Sequence, residues 1–189
     1  MVMAGGSGTR LWPMRRKQRP KQLLRFLMEP GRETPRSLIE VSAGRLSGLV
    51  PDSNLLVCTL ERYRDAVAEV LPTFSNDQIL GEPIGRDTVN AVGLTAAVLN
   101  AKAPEAAFCV MTADHVIEPV DGFQRVVNHG FELVERAPRT LVTFAIEPTH
   151  PATGYGYVRR GAPINGTDGL GFAVEKFVEK PDEATAKQY

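Results

Sequence analysis

Three glycines fall within four positions in Gly5-Gly6-Ser7-Gly8, and Thr9 and Arg10 follow directly. Glycine permits positive φ and close backbone approach, so successive N–H groups along this stretch can point at phosphate oxygens. Arg10 can clamp the same oxygens. The competing reading is a tight turn that binds nothing. Three familiar templates fail here. The pattern G-x-x-x-x-G-K-[ST] lacks its lysine, G-x-G-x-x-G meets Leu11 where its third glycine belongs, and a G-x-S-x-G elbow meets Thr9. Simple P-loop, dinucleotide and serine-hydrolase chemistries are therefore excluded. Next comes Arg15-Arg16-Lys17-Gln18-Arg19-Pro20-Lys21-Gln22, five phosphate-seeking side chains in seven positions, a charge density that suits a triphosphate. Its plain alternative is an exposed basic loop. No aromatic residues interleave with these charges, which argues against single-stranded nucleic acid. Further along, Asp114 follows an apolar run. A carboxylate in that position suits Mg²⁺, which takes one or two carboxylates beside substrate phosphates, and its plain alternative is a helix cap or turn residue.

The elements that must position these groups read as an α/β, Rossmann-like fold with a mostly parallel sheet. Short apolar runs alternate with helical patterns, the signature of βαβ units. Strands are expected at Val2 to Ala4, Asn54 to Thr59, Gln78 to Leu80, Ala106 to Thr112 and Thr140 to Ile146. Helices are expected from a Ser37/Glu40 capping box to about Leu46, over Glu61 to Leu71, over Thr88 to Lys102, and from Asp121 through Glu135. After Ile146 the pattern changes. Gly154 to Val158 and Gly171 to Lys180 read as strands joined by short turns, an antiparallel excursion near the C-terminal end.

With 189 residues, 43 % of them hydrophobic and 23 % charged, the composition is that of one globular domain spanning residues 1–189. No apolar run has the ~18 to 20 residues a membrane helix needs. With no such run, and no apolar stretch followed by a cleavage site in Met1 to Arg10, a cytoplasmic protein is expected. Cys58 and Cys109 lie in apolar runs, where a free cysteine behaves as a small core hydrophobe, so no disulfide is expected. The formal net charge is zero but unevenly spread. Residues 1–45 carry ten Lys or Arg against three Glu, hence +7, and residues 46–189 carry twelve against nineteen acids, hence −7. The acidic remainder makes nucleic acid the least expected partner, and a phosphorylated small ligand the more natural one.

Taken together, Gly5-Gly6-Ser7-Gly8-Thr9-Arg10-Leu11-Trp12-Pro13, Arg16 and Pro20-Lys21-Gln22 resemble the signature of sugar nucleotidyltransferases. Trp12-Pro13 with Pro20-Lys21-Gln22 is most similar to the mannose-1-phosphate guanylyltransferase family. The resemblance recurs in order. Glu82-Pro83-Ile84-Gly85-Arg86-Asp87-Thr88 resembles an E-P-x-G-R-N-T element, Ala113-Asp114-His115 an A-D-H element, Pro148 to Tyr157 a P-T-x-P-x-T-G-Y-G-Y element, and Phe177-Val178-Glu179-Lys180-Pro181 an F-x-E-K-P element. Five ordered matches span residues 4 to 181.

That resemblance implies roles. Arg10 and Lys21 are implied to act on the triphosphate and Asp114 to hold Mg²⁺. The nucleotide would be bound by Gly5, Gly6, Ser7, Gly8 and Thr9 together with Glu82, Gly85 and Arg86. A glutamate at position 82 can accept from the N1–H and amino group of guanine, a physical reason for GTP. Gly154, Tyr155, Glu179 and Lys180 are implied to hold the sugar phosphate, for which the plain alternative at Glu179 and Lys180 is a surface ion pair. The implied reaction joins GTP and mannose 1-phosphate into GDP-mannose, releasing pyrophosphate. No membrane partner is expected, and the oligomeric state stays open, a homo-oligomer included.

The sequence also departs from the pattern. Arg15 stands in place of Ser, Asp87 in place of Asn, and Val89-Asn90 in place of Ala-Pro. The resemblance implies a second metal-binding Asp well beyond the E-K-P element, whereas eight residues follow Pro181. The chain is therefore expected to be truncated at its C-terminal end. Two rivals follow: transfer of a thymidylyl, uridylyl or adenylyl group instead, or a binding module that has lost catalysis.

Overall fold

A computed structural model describes residues 1–5, 20–29 and 31–189, and the chain packs as two compact units, Met1–Gln124 and Arg125–Tyr189. The first unit is built on a four-stranded parallel sheet of β1 (Val2–Met3), β4 (Val57–Leu60), β5 (Ile79–Glu82) and β6 (Met111–Thr112), in the order β5-β4-β1-β6. Two short strands, β2 (Arg25–Leu27) and β3 (Arg36–Ser37), pair antiparallel between β1 and β4 in the sequence. The helices are α1 (Leu38–Gly44), α2 (Arg64–Val70), α3 (Asp87–Lys102) and α4 (Val120–Arg136), the last of which runs past the boundary between the units.

The sheet order carries the functional consequence. From β1 the chain moves outward through β4 to β5, then α3 returns it to the opposite side of β1, where β6 pairs. The strand order thus reverses between β1 and β6. In open α/β sheets the crevice beyond the carboxyl ends of the strands at such a reversal is where ligands bind. Gly5 leaves the end of β1, and Asp114 leaves the end of β6.

The ladder around β1 is closely bonded: Ala4 N donates to Cys58 O at 2.7 Å and Ala113 N to Met3 O at 3.1 Å. Val2, Val57, Ile79 and Ile39 are all at most 1 % exposed and form the heart of the core with Leu23, Leu46 and Val67. A fully buried parallel sheet needs such near-continuous apolar strands. α1 starts where the sequence expects. Ser37 Oγ accepts from Glu40 N and Glu40 Oε2 accepts from Ser37 N at 2.7 Å, the reciprocal capping box. α3 begins at Asp87, whose φ of +55° lies in the left-handed region. Asp and Asn enter that region more readily than other non-glycine residues, so both the family's Asn and this chain's Asp fit the corner.

In the second unit, β7 (Gly156–Pro163) and β8 (Phe172–Glu179) form an antiparallel hairpin, and a short α5 (Glu183–Ala186) follows, its N-cap Asp182 accepting from Thr185 N at 2.8 Å. Two expectations need correction. Thr140 to Ile146 forms no strand: Leu141 is 99 % exposed, while Val142 and Phe144 lie against Gly130 of α4. Ile146 is 85 % exposed as well, so the run's apolar composition secures neither burial nor the partner edge that a strand needs. The run Ala106 to Thr112 likewise narrows to a strand over Met111–Thr112, with Cys109 O accepting from the Met1 ammonium at 2.7 Å.

Candidate active site

Pro20 opens a 3-10 turn over Lys21–Leu23, fixing the chain at φ −67° before it. Leu23 drops into the core and Gln22 is buried beside it. With two successive side chains anchored, the third, Lys21, is aimed outward. Its Nζ meets Asp114 Oδ2 at 2.5 Å, with side chains 23 % and 31 % exposed. Asp114 stands one residue past Ala113, which is buried and bonded to β1. The carboxylate is therefore carried by the sheet, not by a free loop. Burial alone would push the Asp114 carboxyl up, but the Lys21 hydrogen bond and charge, aided by His115 and Thr112, outweigh it and hold the group below its ordinary value. His115 Nε2 lies 3.8 Å from Asp114 Oδ1, and its Nδ1 is 3.1 Å from Thr112 Oγ1.

Gln22 Nε2 donates to the Gly5 carbonyl at 3.0 Å, tying the start of the glycine segment to the turn that bears Lys21. Glu82, at the carboxyl end of β5, reaches the same place. A side-chain carbon built on Gly5 would sit 3.6 Å from Glu82 Oε2, so the backbone of Gly5 and this carboxylate are neighbours. Glu82 is 6 % exposed, and burial raises its pKa above the usual carboxylate range. Among the described residues neither Glu82 Oε1 nor Gln22 Oε1 has a hydrogen-bond partner. Two buried acceptors flank Gly5 with nothing described to satisfy them. Below them the Cys58 thiol is pushed up to about 11 by burial and by the Glu82 charge.

The structure therefore brings together Gly5, Lys21, Glu82 and Asp114 of the expected residues. Gly85 packs on Leu60, and Arg86 is exposed with its carbonyl accepting from Asn90 Nδ2. Gly6, Ser7, Gly8, Thr9 and Arg10, like Trp12-Pro13 and the basic run from Arg15 to Arg19, lie outside the described residues. In the second unit, Gly154, Tyr155, Glu179 and Lys180 form a group of their own at the open end of the hairpin. Gly156 pairs with Glu179 across the ladder, and Lys180 N donates to Tyr155 O at 3.1 Å. Lys180 adopts φ +43°, and its Nζ lies 3.2 Å from Glu179 Oε1, both side chains being exposed.

Two residues of the site were not singled out from the sequence. Gln22 carried a signal, its place in Pro20-Lys21-Gln22, yet its bond to Gly5 depends on the fold. Arg45 carried none: it donates to the carbonyl of His115, 70 positions away, at 2.8 Å. Among the described residues no group of three or more His, Cys, Asp or Glu could enclose a metal ion, and no helix is long and apolar enough to cross a membrane.

Known proteins resemble the chain over its whole length. The chain is 41 % identical over 193 residues to mannose-1-phosphate guanylyltransferase RfbM of Salmonella typhimurium, and 40 % over 194 residues to the mannose-1-phosphate guanylyltransferase of Escherichia coli. It is 38 % identical over 191 residues to the alginate biosynthesis protein AlgA of Pseudomonas aeruginosa. All of this chain is covered in each case, but it spans only 38 to 39 % of the length of those relatives. Among solved structures, the mannose-6-phosphate isomerase of Helicobacter pylori superposes with a TM-score of 0.66 at 22 % identity, covering 99 % of this chain and 62 % of that one, a likeness of fold. A family model described as nucleotidyl transferase matches residues 1–189. With a parallel sheet whose order reverses at Gly5 and Asp114, and with that match running the whole length, the chain belongs to the nucleotidyl transferase family.

Proposed function

We propose that this chain is the part of a mannose-1-phosphate guanylyltransferase that transfers the guanylyl group of GTP to mannose 1-phosphate, giving GDP-mannose and pyrophosphate. The observation that carries the proposal is the Lys21–Asp114 pair at 2.5 Å, held at the strand-order reversal beside the start of the glycine segment. An ammonium and a carboxylate that stays ionised are what a site for a metal-bound triphosphate requires. Relatives of this name, at about 40 % identity over the whole chain, support the same substrates.

In this reading an oxygen of the sugar 1-phosphate attacks the α-phosphorus of GTP and the pyrophosphate oxygen departs opposite to it. The nucleophile is already anionic, its second pKa being about 6, so no side chain need remove a proton. Catalysis then rests on positioning two highly charged substrates and offsetting their charge. Lys21 exchanges its Asp114 partner for a phosphate oxygen as GTP arrives. Arg10 and the amides of Gly5 to Thr9 take the remaining oxygens.

Asp114, partly exposed and kept ionised, would hold Mg²⁺, which takes one or two carboxylates beside substrate phosphates. Bound there, Mg²⁺ would neutralise phosphate charge.

Guanine supplies what Glu82 lacks. Its N1–H and amino group are adjacent donors for a buried carboxylate, whereas adenine presents an acceptor at N1. Glu179 accepts from sugar hydroxyls and Lys180 holds the sugar phosphate. The reaction belongs in the cytoplasm, consistent with free Cys58 and Cys109.

The test is pyrophosphate release with Mg²⁺, the four common nucleoside triphosphates and a panel of hexose 1-phosphates. Turnover confined to GTP and mannose 1-phosphate is expected. Turnover with another triphosphate instead would assign a thymidylyl, uridylyl or adenylyl transferase, and saturable GTP binding without turnover would make the chain a binding module.

A further inference from the structure

Arg45 is 6 % exposed, a guanidinium almost wholly removed from water. Among the described residues it has no carboxylate partner. Burying an uncompensated charge is costly, so its retention calls for a return from hydrogen bonds and packing. The guanidinium donates to Ser42 Oγ at 2.9 Å and to the His115 carbonyl at 2.8 Å, and it lies over the Phe123 ring at 5.2 Å from the centroid. Its own carbonyl accepts from Gln124 Nε2 at 2.9 Å, as does that of Ser47 at 3.0 Å. One residue thereby joins the end of α1, the turn after β6 and the start of α4.

The turn it holds is the one that bears Asp114. On one side of that residue the chain is pinned to β1 by Ala113 N donating to Met3 O at 3.1 Å. On the other, Arg45 pins the carbonyl of His115. We infer that Arg45 is a positioning residue for Asp114, fixing the peptide beyond it so that the carboxylate stays aimed at Lys21 and, on the proposed function, at the triphosphate. Arginine suits the task because its Nη2, at the far end of a long side chain, carries two N–H groups and donates to both acceptors, while its flat face stacks on an aromatic ring. Lysine keeps the charge and has donors, but it is shorter than Nη2 requires and has no flat face to stack, and methionine has neither charge nor donor.

Two variants test it, R45K and R45M, each compared with the parent chain by amide hydrogen exchange, thermal melting and steady-state kinetics. The expected result is faster exchange at residues 113–117 while Val57–Leu60 keeps its protection, with kcat lower by about 10- to 100-fold, the usual loss when a group supporting a metal-site ligand is removed. The KM for the sugar phosphate should hold. If R45M fails to fold, R45K carries the test, since it keeps the charge but loses the reach and the flat guanidinium face. Unchanged exchange at 113–117, a uniform loosening of the first unit, or local loosening without loss of kcat would each overturn the inference. Should the parent chain show no turnover, the functional proposal fails, and the exchange pattern alone still decides the role of Arg45.

Discussion

The Lys21 ammonium and the Asp114 carboxylate, 93 positions apart in the chain, meet at 2.5 Å where the strand order reverses. Both side chains are partly exposed, so their attraction contributes little to stability, of order 0.2–1 kcal/mol. A pair worth so little to the fold is available to the ligand. Replacing Lys21 with Met should therefore leave melting nearly unchanged but lower kcat/KM for GTP by at least ~10²-fold, and Asp114→Asn should do the same. The double variant should lose much less than the product of the two, because each acts through the same phosphates. Full additivity in steady-state assays would show that the two side chains work independently.

The same pair sets an acid limit. The folded-state pKa of Asp114 is depressed, so its contribution is complete above the unfolded value of about 3.9 and is lost as pH falls through the folded value. Asp114→Asn should accordingly bring the acid arm of the stability curve closer to flat. Chemical denaturation of both proteins between neutral pH and the acid limit measures this. An identical slope in both would remove Asp114 from the acid response.

Glu82 behaves oppositely. Burial raises its folded pKa, so the fold favours the protonated form, and its contribution is present below the unfolded value of about 4.3 and lost as pH rises through the folded value. Glu82→Gln keeps the shape and removes the buried charge. At neutral pH it should melt a few degrees higher, about 2–4 °C per kcal/mol in a chain of this size, with the advantage vanishing in acid. Its preference for GTP over ATP should fall together with GTP affinity. Retained discrimination would mean that another group reads the base.

Much of this architecture is legible from local signals. The Ser37/Glu40 capping box marks the start of α1, and the apolar runs at Val2 to Ala4 and ending near Thr59, Leu80 and Thr112 mark the four parallel strands. Asp114 and Lys21 were recognisable because their neighbours form motifs. What the residues alone do not reveal is pairing across distance. Thr140 to Ile146 has a strand's composition yet finds no partner edge, and Arg45 has no motif around it, since its role depends on a carbonyl 70 positions away. Gln22 lies between these cases: the motif names it, and only the fold shows that it holds Gly5.

In the second unit, Lys180 offers a separate test of the sugar side. Its ammonium lies 3.2 Å from Glu179 Oε1, but both side chains are more than half exposed, so the pair adds at most about 1 kcal/mol to stability. Its backbone is a different matter. The N–H of Lys180 bonds to Tyr155 O at 3.1 Å and its φ is +43°, a corner that any non-glycine replacement must also adopt. Lys180→Met keeps that backbone and the length of the side chain while removing the charge. If the ammonium holds the sugar phosphate, the KM for mannose 1-phosphate should rise by about 10-fold or more, the ~1.5–3 kcal/mol of a charged hydrogen bond. The KM for GTP and the melting temperature should remain as in the parent. A rise in both KM values would point to a disturbed fold, and a rise in neither would return Glu179 and Lys180 to the surface ion pair that their exposure also allows.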